Sequence, residues 1–191
     1  MIEVIAEAYP RSNRHLISRI RLVNGDLTKQ DGVDAIVTSM EKTLKANRSL
    51  NRAVMGAAGP ELDEFILEHI YRPHIGDVFA VPPFGLPVKH LIIAITPLWR
   101  DGIENEDRDL LRCYRGVMKT AHEMGLKKIA FPALGTGAGK FPVVRAARLG
   151  IQGIMDRLTP DFEEIRIVCN RPETYDAFQE WLTHYAGGQA S

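Results

Sequence analysis

The residues best placed to do chemistry lie in one short stretch, Gly135-Thr136-Gly137-Ala138-Gly139, set between the runs "FPAL" and "KFPVVRAA". Glycine is among the poorest residues for stabilising a helix or strand interior, because it loses the most backbone freedom on folding. Three glycines in five residues at a strand-to-helix junction imply that bare backbone is wanted there. A strand ending near Leu134, a turn, and a helix opening near Pro142 would gather backbone N–H groups around one concavity, with the positive end of the helix dipole directed at it. Such a nest of amides binds phosphate or diphosphate without cationic side chains. Taken alone, the stretch is equally compatible with a structural turn.

Spacing excludes the commoner phosphate loops. Counting back from Gly139-Lys140, the first Gly of a Walker A loop falls on Leu134, and Phe141 stands at the Ser/Thr position. A dinucleotide fingerprint is not matched either, since the spacing is G-x-G-x-G and it follows a late strand. His69 and His74 are off one helical face and separated by Pro73, and no H-E-x-x-H or Cys/His cluster occurs, so no metal and no cofactor is expected. A G-x-S-x-G elbow for a nucleophilic serine is absent too.

The elements that must hold this stretch can be read from the rest of the chain. At 191 residues, with 45% hydrophobic and 25% charged residues, it suits one globular domain, expected over residues 1–185 with a flexible tail at 186–191. Twenty-four basic residues balance twenty-four acidic ones, which argues against a general affinity for nucleic acid or membrane surfaces. The absence of a secretory pattern and two isolated cysteines, Cys113 and Cys169, lead to the expectation of a cytoplasmic protein. Seven β-rich runs ("IEVIAEA", "RIRLV", "DAIVTS", "DVFAV", "HLIIAI", "KIAFPA" and "IRIVC") predict strands. Helices are predicted over residues 60–71, 106–124, 142–158 and 172–185, three of them opened by proline. Residues 100–108 read as an exposed acidic loop. This order favours an α/β fold of three layers, α/β/α, around a mixed, mostly parallel sheet.

Three motifs in register, "NGDLTKQDGVDAIVTS", "RAVMGAAGPEL" and "FPALGTGAGKFP", together with "HLIIAITPLWRDG", resemble the macro domain, an ADP-ribose-binding module. The resemblance spans nearly the whole chain and implies that fold. It implies that Asp26, with Leu27 beside it, meets the adenine amino group, a task suited to a carboxylate because it offers only acceptors. A turn or helix-capping role is the alternative for Asp26. It further implies that Gly135, Thr136, Gly137, Ala138 and Gly139 cradle a diphosphate, with Lys140 a candidate contact beside them, and that Phe141 packs near a ribose or else in the core.

Departures from the family pattern bear on activity. Its N-A-A-N is here Thr38-Ser39-Met40-Glu41, and its first glycine loop becomes Ala46-Asn47-Arg48-Ser49-Leu50-Asn51. The acid that activates water in some members aligns with Asn51, which cannot serve as a general base. Met55 and Gly139 stand where a His and a Tyr are found in relatives, and Asn170 where an aromatic often stacks on adenine. Glu41 is the one candidate catalytic carboxylate, with a surface role as its alternative. Lys42, Lys45, Arg48 and Arg52 would form one basic face if helical, facing Lys140, and Arg48 is a candidate diphosphate contact. Three functions follow as expectations: a binder of ADP-ribose or a related nucleotide diphosphate, free or carried on an ADP-ribosylated protein; an ADP-ribosyl or ADP-ribose-phosphate hydrolase using Glu41; or an interaction domain with a decayed pocket.

Overall fold

The computed structural model describes residues 11–43 and 49–187. Among the described residues the β-branched runs form six strands: β1 (Ile20–Asn24), β2 (Ala35–Met40), β3 (Val78–Val81), β4 (His90–Ile95), β5 (Lys128–Pro132) and β6 (Glu164–Cys169). They make one sheet in the order β1-β6-β5-β2-β4-β3. Every neighbouring pair is parallel except β3 with β4. Among the described residues five α-helices flank it: α1 (Ser49–Ala58), α2 (Pro60–His69), α3 (Glu106–Glu123), α4 (Val143–Met155) and α5 (Pro172–Gly187).

Alternation along the strands sorts side chains into two cores. Ala35 and Val37 of β2, Ile92 and Ala94 of β4, and Ile129 and Phe131 of β5 face the layer of α3, α4 and α5. Ile36, Leu91, Ile93 and Ala130 face the layer of α1 and α2. The three-layer, mostly parallel fold expected from the sequence is therefore the observed one.

Inside the first core, α3 and α4 approach closely around Tyr114. A Cβ added at Gly153 would lie 2.6 Å from Tyr114 Cβ, and one at Gly150 would lie 2.9 Å from the ring. The two glycines thus make room for a fully buried aromatic that stacks on Phe131 with centroids 5.4 Å apart. Its hydroxyl accepts the N–H of Leu134 at 3.0 Å, just past the end of β5. Burial pushes the phenol well above its ordinary pKa, so it stays neutral.

Two carboxylates stitch the ends of the elements. Asp34, just before β2, accepts the N–H groups of Lys127 and Lys128 at 2.9 and 3.0 Å, tying the start of β2 to that of β5. Glu106 accepts from Arg100, Gly102 and Glu104 at 2.8, 3.2 and 2.8 Å. It is only 2% exposed, so the stretch read as an exposed acidic loop is organised around one buried carboxylate. Arg145 of α4 then pairs with Asp107 through two 2.6 Å bonds and lies over the Trp99 ring, locking this loop to the start of α4.

Other boundaries differ in instructive ways. The predicted strand over residues 2–8 and the tail from 188 onward lie outside the described residues, and α5 runs to Gly187. Pro142 caps α4 instead of opening it, and that helix stops at Met155. Unforeseen in the sequence is a 3-10 helix, Arg11–Arg19, ahead of β1. Lys42 sits in a turn after β2 while Arg52 belongs to α1, so the two do not share one helical face; Lys45 and Arg48 lie outside the described residues.

Replacing Tyr114 by Phe removes the acceptor for a buried N–H and should cost about 1–3 kcal/mol, read by denaturant unfolding with the m-value unchanged. For Asp34 and Glu106, burial raises the carboxyl pKa, but the backbone N–H groups of Lys127 and Lys128, and of Glu106, Glu104, Arg100 and Gly102, outweigh it and hold both below the ordinary range. A depressed folded-state pKa gives stability that is complete above the unfolded value, near 4, and is lost as pH falls through the folded one. Unfolding free energy measured between pH 6 and 3 should therefore decline in acid, and less steeply in Asp34→Asn and Glu106→Gln; parallel slopes would contradict these assignments.

Candidate functional site

Because β1, β6 and β5 are parallel neighbours, their C-terminal ends open on one edge of the sheet. In such sheets that edge is where ligands bind. A cavity of about 360 Å³ lies there. Its floor is Pro132 at the end of β5, Ala133 just after it and Val168 at the end of β6. After β1, Gly25, Asp26 and Leu27 form one end, and Thr136 and Gly137 of the glycine loop form the other. Ala53 of α1 lines it from one helical layer, and Asn170, Arg171 and Thr174, at the start of α5, from the opposite one.

Asp26 owes its place to the turn after β1. It caps a short 3-10 turn, Leu27–Lys29, with Oδ1 accepting from the Thr28 hydroxyl at 2.7 Å and the Thr28 N–H at 2.9 Å. Those two bonds, the hydroxyl's first, hold its carboxyl below the ordinary range, keeping it an anionic acceptor at neutral pH. Asp26 thus takes the capping role expected as one alternative and also lines the cavity. Leu27 is 4% exposed and anchors the turn in the second core.

The glycine loop is partly self-bonded. The N–H groups of Thr136, Lys140 and Phe141 donate to the carbonyls of Ala133, Gly137 and Gly135, at 3.3, 3.1 and 2.9 Å. Those of Gly135, Gly137 and Gly139 find no acceptor among the described residues. The nest expected from the sequence is therefore smaller than the run of residues suggested. Its backing also differs. Among the described residues no part of α4 lines the cavity, and the helix start that does is that of α5.

Why the chain carries three glycines here now has separate answers. Gly135 has φ +88°, a conformation L side chains rarely adopt, and packs against Phe141 and Leu110. At Gly139 a Cβ would lie 2.7 Å from the carbonyl oxygen of Gly135. The fold itself demands both. Gly137 is different: its φ is not positive, an added Cβ would meet nothing within 4 Å, and the residue lines the cavity.

The remaining candidates divide. Ala138 is half-buried in the loop, while Lys140 is exposed with φ +56° and does not line the cavity. Phe141 is 3% exposed and packs on Trp99 at 5.1 Å, a core residue and not a lining one. Arg48 lies outside the described residues. Glu41 lines a second cavity of about 250 Å³, with Thr96, Arg100, Glu104 and Asp109 nearby, and does not line the first. Trp99 connects the two regions, its N–H donating to the carbonyl of Gly139 at 2.7 Å. Ala53, Arg171 and Thr174 were missed by sequence reasoning; the signal for Arg171 and Thr174 was their position directly after a parallel strand.

Among the described residues there is no group of three or more His, Cys, Asp or Glu able to hold a metal, and no helix is long and apolar enough to cross a membrane. Both cysteines are buried, and burial raises Cys113 to about 12 and Cys169 to about 11, so neither is a ready nucleophile.

Comparison with known proteins identifies the family. A macro domain-containing protein of Methanosarcina mazei is 33% identical over 169 residues, spanning 87% of this chain and 89% of that one. An O-acetyl-ADP-ribose deacetylase of Escherichia fergusonii is 34% identical over 172 residues, spanning 87% and 96%. Among solved structures, a mutant macrodomain of Oceanobacillus iheyensis with ADPR matches at a TM-score of 0.78 and 26% identity, covering 85% of this chain and 91% of that one. Residues 37–150, from within β2 to within α4, match the macro domain family. With its sheet order, its cavity over β1, β6 and β5 and these likenesses, the chain belongs to the macro domain family.

Proposed function

We propose that this protein binds ADP-ribose, or a closely related nucleotide diphosphate, in the cavity over β1, β6 and β5. The observation that carries this reading is Gly137: a glycine that the fold does not need, facing the cavity with an amide that has no acceptor among the described residues. A side chain there would occupy the space an anion needs to reach the backbone. At the other end Asp26 presents carboxylate oxygen, a pure acceptor matched to the exocyclic amine of adenine. Two strand spacings separate the ends of β1 and β5, roughly 10 Å, enough to seat a base at one end and a diphosphate at the other. The Oceanobacillus iheyensis relative carrying ADPR supports the choice of ligand.

Binding without the usual hydrolysis is the form of this function that the residues favour. By the resemblance, Asn51 stands where some members carry a water-activating acid and Met55 where related members carry a His, and Glu41 lines the neighbouring cavity. The likeness to an O-acetyl-ADP-ribose deacetylase favours a second reading, hydrolysis of an ADP-ribose ester, in which Glu41 would be the base.

ADP-ribose at a hundred times its Kd should stabilise the folded protein by about 2.7 kcal/mol, a rise in Tm of roughly 5–10 °C. Gly137→Val should melt within about 1 °C of the parent without ligand and show no rise with it. No rise in the parent would refute ADP-ribose as the ligand, and a full rise in the variant would refute the role of Gly137. Incubation with O-acetyl-ADP-ribose should release no acetate; release that disappears in Glu41→Gln would establish the second reading instead.

A further inference from the structure

The side walls of the cavity come from opposite layers of the fold. Ala53 of α1 presents a methyl group from the layer of α1 and α2. Arg171 lies immediately before α5, which packs with α3 and α4 on the other face of the sheet. Between these walls the sheet order places the end of β6 midway between Asp26, after β1, and Thr136-Gly137, after β5. A ligand whose amine meets Asp26 and whose diphosphate meets Gly137 must lay its flat ring system and sugar across that middle ground.

Arg171 is conspicuous there. Its side chain is exposed and makes no hydrogen bond or ion pair with any described residue. Many other arginines are engaged, Arg115 with Asp156, Arg145 with Asp107 and Arg166 with Glu164. A guanidinium is a flat, weakly hydrated cation that stacks on aromatic faces, whereas an ammonium is a compact and strongly hydrated one. A ring sandwiched between the Ala53 methyl and the Arg171 plane has both faces covered without any aromatic side chain.

Resting on the ADP-ribose reading, we propose that Arg171 determines base recognition, its guanidinium closing over one face of the purine while Ala53 covers the other. The role is one of shape and polarisable contact, so charge alone does not supply it. That separates it from the alternative for a cation on this wall, an ion pair with the diphosphate, for which a lysine would serve and a neutral ring would not.

The test is ADP-ribose affinity by titration calorimetry for the parent and three variants, each first shown to melt like the parent without ligand. Arg171→Ala should weaken binding roughly three- to thirtyfold, the range of a guanidinium–ring contact. Arg171→Lys should remain close to Arg171→Ala, and Arg171→Phe should recover most of the loss. Unchanged affinity in Arg171→Ala, or recovery in Arg171→Lys with none in Arg171→Phe, would overturn the role of Arg171 while leaving ADP-ribose as the ligand. Silence of the parent toward ADP-ribose would overturn both.

Discussion

The N–H of Leu134 has to be satisfied inside the protein, and the hydroxyl of Tyr114 does it. That bond fixes where β5 stops and where the chain turns into the glycine loop. It needs a large aromatic at the centre of the α3–α4 contact, hence the small residues Gly150 and Gly153 facing it. A buried N–H left without an acceptor costs free energy comparable to a lost hydrogen bond. The turn is thus pinned from beneath by the core, leaving its upper surface to face the cavity. Phe141, returning to pack on Trp99, pins the other end of the loop.

From this anchor the layout of the site follows. Parallel strands deliver β1, β6 and β5 to the same edge, and each contributes what its following turn can offer: a capped carboxylate, the approach to a helix, and open backbone. Helices from the two layers then close the sides. The loop at residues 100–106 is drawn into the same frame by Glu106, whose carboxylate gathers three N–H groups, and by the Arg145–Asp107 pair. Trp99 carries that order into the glycine loop through Gly139.

Much of the fold was legible in the sequence because its strands are short, β-branched and covered on both faces, and proline marks helix starts. The strands from β1 onward were placed within about a residue for that reason. Less legible was whatever depends on a distant partner. Glu106 reads as one acid among several until its carboxylate is seen to collect N–H groups. Phe141 could be core or site by type alone, and its burial against Trp99 is visible only in the fold. Glu41 was rightly located after β2, but a strand end does not say which of two adjoining cavities receives it. Arg171 was overlooked for the opposite reason: an exposed arginine before a helix is unremarkable until the strand order puts it between Asp26 and Gly137.

The glycine loop shows why composition alone overstates a binding site. Of its three glycines, Gly135 and Gly139 are explained by φ and by packing, leaving Gly137 as the one whose bareness neither explains. The most direct measurement is a titration of isotope-labelled protein with ADP-ribose, following backbone amide resonances. The account predicts a large shift at the Gly137 amide and small ones at Lys140 and Phe141, whose N–H groups are already bonded inside the loop. Saturable binding that left Gly137 unmoved would contradict it.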